Sequence, residues 1–67
     1  MNEHYKYRVQ VNPLGNDNEE DWYTVNDSDD LETARRHYLL LHEAVDNVMV
    51  SVRLQEHTPG YRTIESE

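Results

Sequence analysis

Tyr5-Lys6-Tyr7-Arg8-Val9-Gln10-Val11-Asn12 alternates without a break between apolar or aromatic and polar side chains. Side chains on a strand point alternately to its two faces, so Tyr5, Tyr7, Val9 and Val11 share one side and Lys6, Arg8, Gln10 and Asn12 the other. Such a segment settles as a half-buried strand, and the rest of the chain must cover its apolar side. Pro13-Leu14-Gly15-Asn16 ends it, because proline has no amide hydrogen to donate and glycine accepts dihedrals that other residues avoid. Asp17 to Asp21 reads as a solvated acidic loop. Trp22-Tyr23-Thr24-Val25 reads as a second strand, closing a hairpin with a long tip.

The cover is a helix. Asp29 as N-cap with Glu32 three residues on forms a capping box, and the acids here suit the positive end of a helix dipole. Leu31, Ala34, Tyr38, Leu41 and Val45 fall on one stripe, which predicts an amphipathic helix from about Asp30 to Val45, ended by Asp46-Asn47. Alternation then returns. Val48, Val50, Val52 and Leu54 turn inward, and Met49, Ser51 and Arg53 turn outward. Thr58-Pro59-Gly60 is a turn, and no internal repeat is evident. The expected fold is α+β, a ββαβ unit over residues 1–57. Its sheet has three mainly antiparallel strands in the order 2-1-3, with the helix on one face and a loosely ordered tail over 58–67. Order 1-2-3, with a parallel pair, is the alternative.

At 67 residues the chain holds one domain, and it has no cysteine to staple a small core. Small scaffolds without disulfides often gain stability by association. Leu39 and Leu40 lie off the buried stripe, and with two sheet edges they make a homodimer an alternative. No run approaches the roughly 18 apolar residues of a membrane span. The start lacks a basic region followed by an apolar run, so a cytoplasmic protein is expected.

Catalytic signatures are missing. There is no cysteine nucleophile, nucleophile elbow, phosphate loop or dinucleotide fingerprint, and the expectation is a protein that is not an enzyme and needs no cofactor. Asp27-Ser28-Asp29-Asp30-Leu31-Glu32 has the acid density of a calcium loop. It lacks the glycine and the distal glutamate that such a loop needs. His37 and His42 are five apart and diverge by about 140° on a helix, so they are no zinc pair.

The formal charge of −8 disfavours nucleic acid as a partner. Two surfaces remain. Asp17, Glu19, Glu20, Asp21, Asp27, Asp29 and Asp30 form an acidic set that could contact a protein, even by imitating a phosphate backbone. Lys6, Arg8 and Arg53, with Trp22 beside them, would line the bare face of the sheet. That face offers the alternative of single-stranded nucleic-acid binding, although exposed strands also carry Lys and Arg simply to discourage aggregation.

The alternating first strand, the Trp22-Tyr23-Thr24-Val25 strand and the helix opening Asp29-Asp30-Leu31-Glu32-Thr33-Ala34-Arg35-Arg36 together resemble short uncharacterised proteins of phages and mobile elements. The resemblance covers about half the chain and transfers no site residues. It implies an accessory or inhibitor domain that binds and modulates a host or phage protein.

Overall fold

The computed structural model describes residues 5–16, 18–45 and 50–66. The sheet has four strands, all antiparallel, in the order β2-β1-β3-β4. They are β1 (Tyr7–Asn12), β2 (Tyr23–Ser28), β3 (Ser51–His57) and β4 (Tyr61–Ser66), with helix α1 (Leu31–Ala44) between β2 and β3. The expected three-stranded ββαβ unit is therefore corrected to ββαββ. The segment read as a loose tail pairs along the outer edge of β3, with His57 opposite Tyr61 and Arg53 opposite Ser66. Gly60, at φ 74°, makes the tight return from β3 possible, since a side chain there would strain the left-handed backbone.

α1 lies against one face. Tyr7, Val9, Val52 and Leu54 from the two central strands meet Ala34 and Tyr38 of the helix, with Val11, Leu31, Leu41, Val45 and Ile64 packed around them. The helix begins one residue later than expected. Asp30, not Asp29, is the N-cap, and its carboxylate accepts from the Thr33 backbone N–H at 2.8 Å. Asp29 instead accepts from the Lys6 backbone N–H at 3.0 Å and ties the helix entry to the start of β1. The stretches expected to end α1 and to open the third strand, residues 46–49, lie outside the described residues.

The two outer strands carry matching irregularities. Between β1 and β2, Val9 pairs with Asn26 and Gln10 with Thr24, which leaves Val25 as an extra residue. Between β3 and β4, Leu54 pairs with Glu65 and Gln55 with Thr63, which leaves Ile64 extra. Each is a bulge of one residue, which bends the strand and increases its twist.

Candidate functional site

The face of the sheet away from α1 is polar and yet largely buried. Gln10, Asn12, Arg53 and Gln55 are each no more than 7% exposed. Burying polar groups costs stability unless they bond to each other, and here they do.

Two rows of side chains run across the strands. In the first, Arg53 Nε donates to Gln10 Oε1 at 2.8 Å, and Gln10 Nε2 donates to Thr24 Oγ1 at 3.0 Å. In the second, Arg8 Nε donates to Gln55 Oε1 at 2.8 Å, and Gln55 Nε2 donates to Thr63 Oγ1 at 3.1 Å. Arginine has only donors, so each glutamine must turn its oxygen to the guanidinium and its amide nitrogen to the threonine. Each arginine also lies on an aromatic ring. The Arg53 Cζ is 4.0 Å from the Trp22 ring centroid, and the Arg8 Cζ is 3.5 Å from that of Tyr61.

The rows are copies of each other. Arg8-Val9-Gln10 on β1 corresponds to Arg53-Leu54-Gln55 on β3. Trp22-Tyr23-Thr24-Val25 corresponds to Tyr61-Arg62-Thr63-Ile64, bulge for bulge. A two-fold relation about the middle of the β1–β3 pair exchanges the hairpins, and α1 connects them. The expected lack of an internal repeat is thus corrected: the repeat is short, and it is spread over four strands.

The halves differ in their hairpin loops. The loop before β2 is long and pinned. Asn12 takes the Leu14 N–H on its side-chain oxygen at 3.0 Å and donates to the Asn16 carbonyl at 2.9 Å. Asn16 donates in turn to Asp21 at 2.9 Å. This brings the 3₁₀ turn Glu19–Asp21 over the sheet. Glu19 then accepts from both terminal nitrogens of Arg53, at 3.1 and 2.9 Å, a bidentate pair. The Arg53 side chain is 9% exposed and that of Glu19 77%, so the pair sits at the rim of the network with its carboxylate in water.

Arg8 has no equivalent. The turn Thr58-Pro59-Gly60 is short and supplies no acid. Among the described residues no group hydrogen-bonds to the terminal nitrogens of Arg8. Its one acidic neighbour in register is Asp27 on β2, which acts at a distance without an ion pair. Burial first, and then the nearby Arg53 charge, pull the Arg8 guanidinium below its ordinary range; Tyr61, Asp27 and Glu19 act the other way. Arginine nonetheless remains charged at any ordinary pH.

The residues singled out from the sequence are dispersed. Arg8, Arg53 and Trp22 share the open face. Lys6 precedes β1, and its ammonium lies 5.8 Å from the Tyr7 ring centroid, outside the two rows. Glu19 holds Arg53, Asp21 holds Asn16, Asp29 holds the Lys6 backbone and Asp30 caps α1. Glu20 and Asp27 are exposed, and Asp17 lies outside the described residues. The acids before β2 and those after it are separated by the whole strand, roughly 17–20 Å at about 3.3 Å per residue. Leu39 and Leu40 are 53% and 58% exposed on the outer side of α1, beside a depression of about 550 Å³. Gln10, Gln55, Thr24, Thr63 and Tyr61 were not singled out. The signal for them is the doubled Arg-x-Gln and the doubled aromatic-x-Thr followed by a β-branched residue.

Among the described residues no group of three or more His, Cys, Asp or Glu is placed to hold a metal ion, and no helix is long and apolar enough to cross a membrane. Comparison with protein-family models, curated proteins and solved structures finds no match.

Two carboxylates are set below their ordinary values. Glu19 is lowered first by its hydrogen bond from Arg53 and then by that charge, and Asp30 by its bonds from Thr33. A depressed carboxyl contributes stability that is present above its unfolded value and lost as pH falls through the folded one. Those unfolded values are near 4.5 for Glu19 and 3.8 for Asp30, so the loss is confined to the acid limb below them. The double variant E19Q/D30N should show a shallower decline in melting temperature between neutral pH and pH 3 than wild type. Parallel declines would mean that neither pair contributes.

Proposed function

We propose that this chain is a non-catalytic protein-binding module, and that the polar sheet face is its contact surface. The observation that supports the reading is the state of Arg8. It is aligned by Gln55 and seated on Tyr61, with its terminal donors unbonded among the described residues. Holding a side chain in one geometry before binding lowers the entropy lost on association. Stacked arginine is among the side chains that carry most binding energy in interfaces. The acidic residues then act mainly through their field, since four of them have intramolecular work. The resemblance to phage and mobile-element proteins gives the wider role: an accessory or inhibitor domain acting on a host or phage protein.

The test is capture from source lysate with three forms of the protein. Wild type should retain a partner that weakens as salt rises. The variant R8Q/Y61A should lose that partner, and the α1 variant L39S/L40S should keep it. Retention by the sheet-face variant, with loss by the α1 variant, would move the contact to the helix and reject this reading.

A further inference from the structure

The two halves of the sheet face are the same device in two states, one filled and one open. In the first half the guanidinium of Arg53 is aligned by Gln10, backed by Trp22, and occupied on its two terminal nitrogens by the carboxylate of Glu19. In the second half Arg8 is aligned by Gln55 and backed by Tyr61 in the same way, and among the described residues no carboxylate meets its terminal nitrogens. The cause is visible in the chain. Glu19 arrives on the long loop before β2, and the turn between β3 and β4 is too short to carry a counterpart. We propose that Arg8 takes a glutamate or aspartate side chain from a partner protein, in the bidentate geometry in which Arg53 takes Glu19. The inference rests on the protein-binding reading above and supplies the chemistry of its central contact.

The recognition is of one carboxylate and not of a polyanion. The protein carries a net charge of −8, so a nucleic acid would be repelled over its whole length, while a single carboxylate meets the local charge of Arg8. The flat face of Tyr61 covers one side of the guanidinium and Gln55 holds its Nε, which leaves the outer edge, with its fork of two parallel donors, as the edge a ligand can reach. Asp27 stands beside Arg8 across the β1–β2 pair. Its charge opposes an incoming carboxylate and so weakens the contact.

Side-chain NMR on the folded protein tests this without knowledge of the partner. The probe is the capped tripeptide N-acetyl-Gly-Glu-Gly-amide, with its glutamine counterpart as control, at matched ionic strength. The Nε–Hε signal of Arg8 should shift saturably with the glutamate peptide and not with the glutamine one, while the Arg53 signal stays still because Glu19 occupies it. In E19Q both arginine signals should respond, since the second site has been vacated. In D27N the Arg8 response should tighten. In R8K, which keeps the charge and loses the fork, affinity should fall by about tenfold or more. An Arg8 signal that does not move in wild type overturns the proposal, as does equal movement of Arg8 and Arg53 in wild type. A larger response to a single-stranded oligonucleotide than to the glutamate peptide also overturns it, in favour of phosphate. Loss of the peptide response while capture still depends on the sheet face would remove the carboxylate and leave the binding module.

Discussion

Truncating Leu54 to alanine should remove half or more of this domain's stability, and all of it if that stability lies at the low end for a chain this short. Leu54 is wholly buried at the middle of β3, opposite Val9 in register and in one cluster with Tyr7, Val52, Ala34 and Tyr38. The substitution removes buried methyl groups and leaves a cavity that a sheet centre cannot collapse, at a cost of about 2–5 kcal/mol. A chain this short has a total stability of only about 3–10 kcal/mol, and no disulfide raises that floor. Urea denaturation followed by far-UV circular dichroism should show the midpoint moved to low denaturant or no folded baseline at all. The exposed Leu40 supplies the contrast. Leu40→Ala should stay within about 0.5 kcal/mol of wild type. Equal effects at the two positions would mean that the core is not where α1 meets β1 and β3.

Much of that core is legible in the sequence. The alternation of β1, the stripe Leu31, Ala34, Tyr38, Leu41 on α1, and the inward Val52 and Leu54 each follow from one period along the chain. β4 is less so. Tyr61-Arg62-Thr63-Ile64-Glu65 does not alternate cleanly, because the bulge at Ile64 interrupts the period. A one-residue insertion reverses every side chain after it, and a pattern search that assumes strict alternation then sees a tail. The same bulge sits at Val25, where the readable pattern also stops. The N-cap was displaced by one residue for a simpler reason. Asp29 and Asp30 can both cap, and the choice between them depends on Lys6, which is distant in sequence and adjacent in space.

The sheet face was legible only as a list. Sequence spacing puts Arg8 and Arg53 on the outward side of their strands, but it does not say that each will meet a glutamine of the neighbouring strand. That depends on the register, in which Arg8 faces Gln55 and Gln10 faces Arg53. The expectation of a bare, solvated face with free cations gives way to a bonded network with one cation neutralised and one open. The reason is that an exposed strand face is wet only until neighbouring long side chains and a folded-back loop cover it.

The second large effect is expected at Arg53. Arg53→Met keeps most of the side-chain volume and removes the charge. Gln10 then keeps a buried oxygen with no donor, at 5% exposure, and Trp22 loses the group it stacks on. An orphaned buried acceptor costs about 1–3 kcal/mol and a partly buried cation–π contact about 0.5–2, so the variant should lose about 1.5–5 kcal/mol. Glu19 is mostly in water and adds little when released. The loss is one of unmatched polarity and not of contact area, so it should be reversible by removing the other partner. Gln10→Leu with Arg53→Met replaces both ends of the bond with apolar groups of similar size, which in buried networks is often nearly neutral. The double variant should therefore be more stable than Arg53→Met alone. If the double variant instead shows the sum of the two single losses, Gln10 and Arg53 act independently. The polar rows would then not be what holds this face together.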